Sequence, residues 1–198
     1  MNSPRILNMP KAFGPDAARE ALRRHAYGAL TTARLLRAAP TDELRGFERV
    51  LVPCWVIGLD VVTATRGRRD KVDQTRARVF LDCLSRECRA VPEGAGLEEG
   101  DPVAGVEDPA DRVSADEARE LAGQALRWQL LRSGGANLRD LSMSAATAEP
   151  CHLPVWLGYF GNDRGRIRVR CLSGADGGVE SAAYAMKVLR MLQEPATV

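Results

Sequence analysis

The feature that most constrains this chain is an internal repeat, because a repeated supersecondary unit dictates the order of every element inside it. Ala18-Arg19-Glu20 recurs as Ala118-Arg119-Glu120, Pro53-Cys54-Trp55 as Pro154-Val155-Trp156, and Cys83-Leu84-Ser85 as Cys171-Leu172-Ser173. The three matches keep their order, and the intervals 18 to 53 and 118 to 154 are nearly equal. The interval from Trp to the third match is longer in the first half, which predicts a longer hairpin there. Each triplet alone is weak. Three in order, two of them holding a scarce tryptophan, are far less easily produced by chance.

Each half opens with a helical pattern. Gly14-Pro15-Asp16 precedes apolar residues at Ala17, Ala18, Ala21, Leu22, His25, Leu30, Ala33 and Leu36. Proline is tolerated in a first helical turn, where its missing N–H has no partner to lose, and Asp16 suits the positive end of the helix dipole. Ala39-Pro40 closes this pattern. In the second half Ser114-Ala115-Asp116-Glu117 reads as a capping box, followed by Ala118, Leu121, Ala122, Ala125, Leu126, Trp128, Leu130 and Leu131 and stopped at Ser133-Gly134-Gly135.

A strand should follow each helix: 50–57 around Pro53 and 153–157 around Pro154. Proline cannot donate to a ladder, so both strands are expected to start at, or lie on an edge beside, their proline. Turns are expected at 65–70 and 161–165, with return strands at about 77–85 and 166–172. The segment 92–109, rich in Gly, Pro and acidic residues, reads as a linker, and 179–193 reads as a final helix. The expected fold is α+β: two α-β-β-β modules packed pseudo-symmetrically as one compact domain, plus a C-terminal helix. The modules span 1–92 and 113–198, with a linker at 93–112. At 198 residues such a chain is large enough for a substantial core.

The helix followed by Leu51-Val52-Pro53-Cys54-Trp55 or Leu153-Pro154-Val155-Trp156 resembles a group of bacterial proteins with tandem helix-then-strand modules. Their strands open on Val-Pro-Phe-Trp after Tyr or Leu, and some carry a zinc ribbon. In outline the layout is also similar to PepSY-type α-β-β-β units. The residues carrying the resemblance are Leu51, Pro53, Trp55, Leu153, Pro154 and Trp156. The chain has no Cys-x-x-Cys ribbon, so no metal role follows from the resemblance, and neither group implies a catalytic residue.

Composition narrows the function classes. A net charge of +2 implies no overall nucleic-acid or membrane affinity. Only three of the 28 basic residues are lysine, a skew that coding bias explains without arginine-specific chemistry. No apolar run approaches the length of a membrane span or signal peptide, and five cysteines do not suggest a secreted disulfide framework. The expected location is cytoplasmic, with reduced thiols.

No motif for nucleotide binding, nucleophilic hydrolysis or metal ligation stands out. Trp55 and Trp156 are read as core rings rather than ligand contacts, and His25 as a structural histidine. The cysteines lack paired metal-ligand spacing, and nothing marks an activating partner for a nucleophile beside His152 or His25. No catalytic residue, metal or cofactor is therefore expected. The remaining signal is arginine on the hairpins. Arg166, Arg168 and Arg170 alternate with Ile167 and Val169, so they share one face, with Arg164 in the preceding turn. Arg66, Arg68 and Arg69 lie in the corresponding turn of the first half, followed by Lys71, Arg76 and Arg78.

Three function classes remain. The leading one is a non-enzymatic binding or assembly protein that presents a sheet or hairpin surface to a macromolecular partner, protein rather than nucleic acid, with homo-oligomerisation left open. The second is a nucleic-acid-associated protein using the arginines as phosphate clamps. The third is an enzyme with a site at the seam between repeats.

Overall fold

The computed structural model describes residues 4–8, 14–27, 43–65, 71–91, 94–100, 106–134, 138–161, 167–174 and 177–194. The fold is α+β. In chain order its elements are β1 (Arg5–Asn8), α1 (Pro15–Tyr27), β2 (Glu43–Thr65), β3 (Lys71–Asp82), β4 (Cys88–Ala90) and β5 (Gly96–Glu99). There follow α2 (Pro109–Arg112), α3 (Ala115–Gly134), β6 (Leu138–Gly161), β7 (Ile167–Ser173) and α4 (Ala182–Gln193). The strands form one seven-stranded sheet in the order β4-β3-β2-β6-β1-β5, with β7 pairing to β6. No helix among the described residues is long and apolar enough to cross a membrane.

The chain divides into two compact units that interleave along the sequence. One comprises Met1–Arg5, Pro53–Glu93 and Glu99–His152; the other comprises Ile6–Val52, Gly94–Glu98 and Leu153–Val198. The long strands β2 and β6 each contribute to both.

In the first unit β2 and β3 form an antiparallel hairpin with Trp55 opposite Leu81, Ile57 opposite Val79 and Leu59 opposite Ala77. Alternation puts Trp55, Ile57, Leu59 and Val61 on one face. That face joins Val79, Leu81 and Cys83 in a buried cluster with Ala118, Ala122 and Leu126 of α3. Full burial of each large aliphatic side chain stabilises the fold by roughly 1.5–3 kcal/mol. The Trp55 indole N–H donates to the Val113 carbonyl at 2.9 Å, so burial leaves its polar atom satisfied. Trp55 is thus a core ring, but its cover is α3, the helix of the other half of the sequence. The reason is that β2 carries the chain into this unit only from Pro53 onward, after α1 has been left in the second unit.

In the second unit the hairpin of β6 and β7 places Trp156 opposite Leu172 and Phe160 opposite Arg168. Ala18 and Leu22 of α1 cluster with Trp156, Phe160 and Leu172, and Leu44 and Phe47 of β2 pack against them. A β-carbon at Gly158 would lie 2.9 Å from Leu22 Cδ2, so the close approach of α1 to β6 depends on glycine. The last helix, α4, contacts β7 and buries Tyr184, Ala185 and Val188.

Several local expectations are corrected. The prolines do not open their strands: β2 begins at Glu43 and β6 at Leu138. Each proline instead sits one residue before the first pair of its hairpin ladder, Cys54 with Asp82 and Val155 with Ser173. Each proline carbonyl still accepts a bond, Pro53 from the Cys83 N–H at 3.1 Å and Pro154 from the Gly174 N–H at 2.8 Å. A missing donor is tolerated where the ladder ends.

The third repeat match is out of register. Cys171-Leu172-Ser173 belongs to β7, whereas Cys83-Leu84-Ser85 is a turn beyond β3. Asp82 shapes that turn by accepting from the Leu84 N–H at 2.7 Å and the Ser85 N–H at 3.0 Å. By pairing, Leu172 corresponds to Leu81 and Cys171 to Phe80.

The capping box is half formed. Ser114 Oγ accepts the Glu117 N–H at 3.2 Å, but the Glu117 carboxylate pairs with Arg86 at 2.8 Å. The segment read as a linker contains β5, whose Glu98 and Glu99 are exposed at the end of the sheet order, where charge discourages further strand pairing. The final helix starts at Ala182, capped by Ser181 Oγ accepting from the Tyr184 N–H, while Val179 bridges to Leu172.

Candidate functional site

The hairpin arginines are divided by the structure. Arg66, Arg68, Arg69, Arg164 and Arg166 lie outside the described residues. Arg168 is exposed and Arg170 is half-buried on β7. Their partners across the ladder are Phe160 and Gly158. Directly opposed residues share a face. Arg168 and Arg170 therefore continue the same face that bears Trp156, Phe160 and Leu172, rather than forming a separate outer face.

In the first hairpin Arg78 pairs with Gly58 and Arg76 with Asp60, on the face opposite to Trp55. The described arginines of the two hairpins thus stand on opposite faces relative to the matching tryptophan. Arg76 also meets the Asp60 carboxylate at 3.5 Å, which offsets part of its charge.

The hairpin ends share another property. Val72 at the start of β3 is 66% exposed and Ile167 at the start of β7 is 69% exposed. Each is a β-branched apolar side chain, and the stretches 66–70 and 162–166 that precede these strands in the sequence carry arginines. Nothing in the alternating pattern of β7 marked this, since alternation assigns Ile167 to an apolar face without saying where cover ends.

The second unit holds a further cluster. The Arg19 guanidinium lies 4.5 Å over the Phe47 ring, and Phe47 meets Trp156 at 5.7 Å between centroids. These contacts brace the helix against the strand with a cation–π interaction. On the opposite face of β6 the Tyr159 hydroxyl donates to Glu48. Burial, and then this bond and the Glu48 charge, push the Tyr159 hydroxyl up to about 12.

Trp128 was expected on the apolar stripe of α3 but is 66% exposed. It follows Leu126 by two positions, about 200° around the helix, which turns it away from the face holding Ala118, Ala122 and Leu126. Leu131, Arg127 and Arg132 are exposed near it.

The buried polar groups among the described residues include the cysteine thiols, the Asp82 carboxylate, the His152 imidazole and the Ser173 hydroxyl. Cys54, Cys83 and Cys151 are buried free thiols in the first unit. Burial first, then the neighbouring Asp82, pushes the Cys83 thiol up to about 12, and burial pushes Cys88 up to about 11. Neutral thiols of this kind are poor nucleophiles. His152 Nε2 donates to the Glu107 carbonyl at 2.9 Å, since a carbonyl only accepts, and Nδ1 is buried with no hydrogen-bond partner among the described residues. The side chain of His25 is outside the described residues. No group of three or more metal-ligating side chains occurs among the described residues. No family model, curated protein or solved structure matches the chain.

Proposed function

We propose that this chain is a non-enzymatic binding or assembly protein of the cytoplasm, which presents its hairpin ends to a protein partner. The observation that carries the reading is the exposure of Val72 near the start of β3 and of Ile167 at the start of β7. An apolar side chain bordered by arginine has the composition of a protein interface, where arginine and apolar anchors are enriched. A phosphate clamp would gain nothing from the valine and isoleucine. The opposite placement of Arg76 and Arg78 relative to Arg168 and Arg170 also fits two different contact surfaces better than one repeated clamp.

We further propose that the chain arose as a tandem repeat of a helix-and-hairpin unit. The parallels that support it are local. Ala18 and Ala118 are both fully buried, and their N–H groups donate to Gly14 and Ser114 at 2.9 Å, just before each helix. Both prolines occupy the same place in their ladders.

The test is affinity capture from the native host with the wild type and with Val72→Asp and Ile167→Asp, both checked for an unchanged melting temperature. The reading expects a protein that co-purifies with the wild type and is lost from the two variants. Capture of nucleic acid, released steeply as salt rises, would support the phosphate-clamp reading and overturn this one.

A further inference from the structure

Two of the buried thiols are in contact. Cys54 on β2 and Cys151 on β6 are both inaccessible to solvent, and their sulfur atoms lie 3.2 Å apart. β2 and β6 are neighbours in the sheet order. The two residues are 97 positions apart in sequence, so the contact closes a long loop. Both belong to the first unit, each one residue inside the limit of its long-strand segment, which begins at Pro53 and ends at His152.

We infer that Cys54 and Cys151 form a reversible oxidative staple across β2 and β6, closed by a small peroxide. The reaction balances with hydrogen peroxide as the oxidant. The thiolate of one cysteine attacks a peroxide oxygen, the O–O bond breaks, and one water leaves after proton transfer, with a sulfenic acid on that sulfur. The second thiol loses its proton and attacks the sulfenic sulfur; the S–O bond breaks and the second water leaves. Two thiols lose two electrons and two protons, and one peroxide becomes two waters. A dithiol reductant reverses the bridge.

The surroundings set the rate and the selectivity. Burial, then the hydrogen bond and charge of Cys151, push the Cys54 thiol well above its usual range. The thiolate is therefore scarce, and reaction waits on local opening of the strands. A larger oxidant is excluded from so buried a pair. Cys83 is the competing partner, but its sulfur is 4.0 Å from the Pro109 carbonyl, toward which it points its S–H.

The test uses the reduced full chain treated with hydrogen peroxide, followed by thiol counting in denaturant and peptide mapping without reductant. The expected result is a fall from five titratable thiols to three, a cross-linked peptide holding Cys54 and Cys151, and recovery of five on adding dithiothreitol. A bridge closing a loop of this length should raise the melting temperature by roughly 10 °C. Cys54→Ala should keep all its remaining thiols free of intramolecular pairing. Recovery of the Cys54 and Cys151 peptides unbridged after oxidation would overturn the proposal. So would a bridge from Cys83 to either one, a melting temperature that does not rise, or a two-thiol loss that persists in Cys54→Ala.

Discussion

Replacing Trp55 with alanine separates a core role from a binding role. The ring is 5% exposed and packs within the cluster of β2, β3 and α3, and its N–H donates to the Val113 carbonyl at 2.9 Å. Truncation leaves a cavity that costs about 3–5 kcal/mol. It also leaves the Val113 carbonyl without this donor, adding about 1 kcal/mol or more. In a chain of 198 residues, about 2–4 °C of melting temperature is lost per kcal/mol. The expected fall is therefore about 8–24 °C, read by far-ultraviolet circular dichroism so that loss of the fluorophore does not distort the signal. Trp55→Phe keeps most of the ring and should lose only about a third of that. Trp128→Ala serves as the contrast, because an exposed side chain should change stability by no more than about 0.5 kcal/mol. If Trp55→Ala melts within about 2 °C of the wild type yet loses its partner, the reasoning fails and Trp55 is a contact residue.

Two glycines should respond differently to alanine. At Gly174 a β-carbon would sit 2.3 Å from the Pro154 carbonyl oxygen, a backbone atom that cannot rotate away, so Gly174→Ala should cost about 2–3 kcal/mol in urea unfolding. At Gly58 the obstacle is Thr147 Oγ1 at 2.6 Å, and Thr147→Ala should restore most of the stability that Gly58→Ala loses. For Tyr159, whose hydroxyl is pushed up to about 12, the neutral form is favoured in the folded state. Its contribution is complete below the unfolded value near 10 and is lost as pH rises toward 12. Tyr159→Phe should flatten the decline of stability between about pH 10 and 12 that the wild type shows.

The sequence made the local elements readable wherever a side chain acts on its own neighbourhood. Pro15 and Ser114 mark helix starts that the structure places at Pro15 and Ala115, because a cap or a locked φ angle works within one turn. The burial of Trp55 and Trp156 also followed from residue type. What could not be read were the partners. That α3 covers the hairpin of β2 and β3 depends on strands of 23 and 24 residues passing between units, and triplet matches carry no information on that. The triplet Cys83-Leu84-Ser85 misled because matching letters do not fix register, which here is set by where Asp82 turns the chain. Exposure at Val72 and Ile167, and the contact of Cys54 with Cys151, are tertiary facts with no sequence signal.

We propose that a protein partner docks around Val72 of β3 and Ile167 of β7. Hydrogen exchange of the chain, free and bound to the partner captured with it, tests this most directly. Docking there slows exchange at the starts of β3 and β7, around Val72 and Ile167, and leaves α3 near Trp128 unchanged. Protection centred on Trp128 and Leu131, with both hairpin ends unaltered, would contradict it.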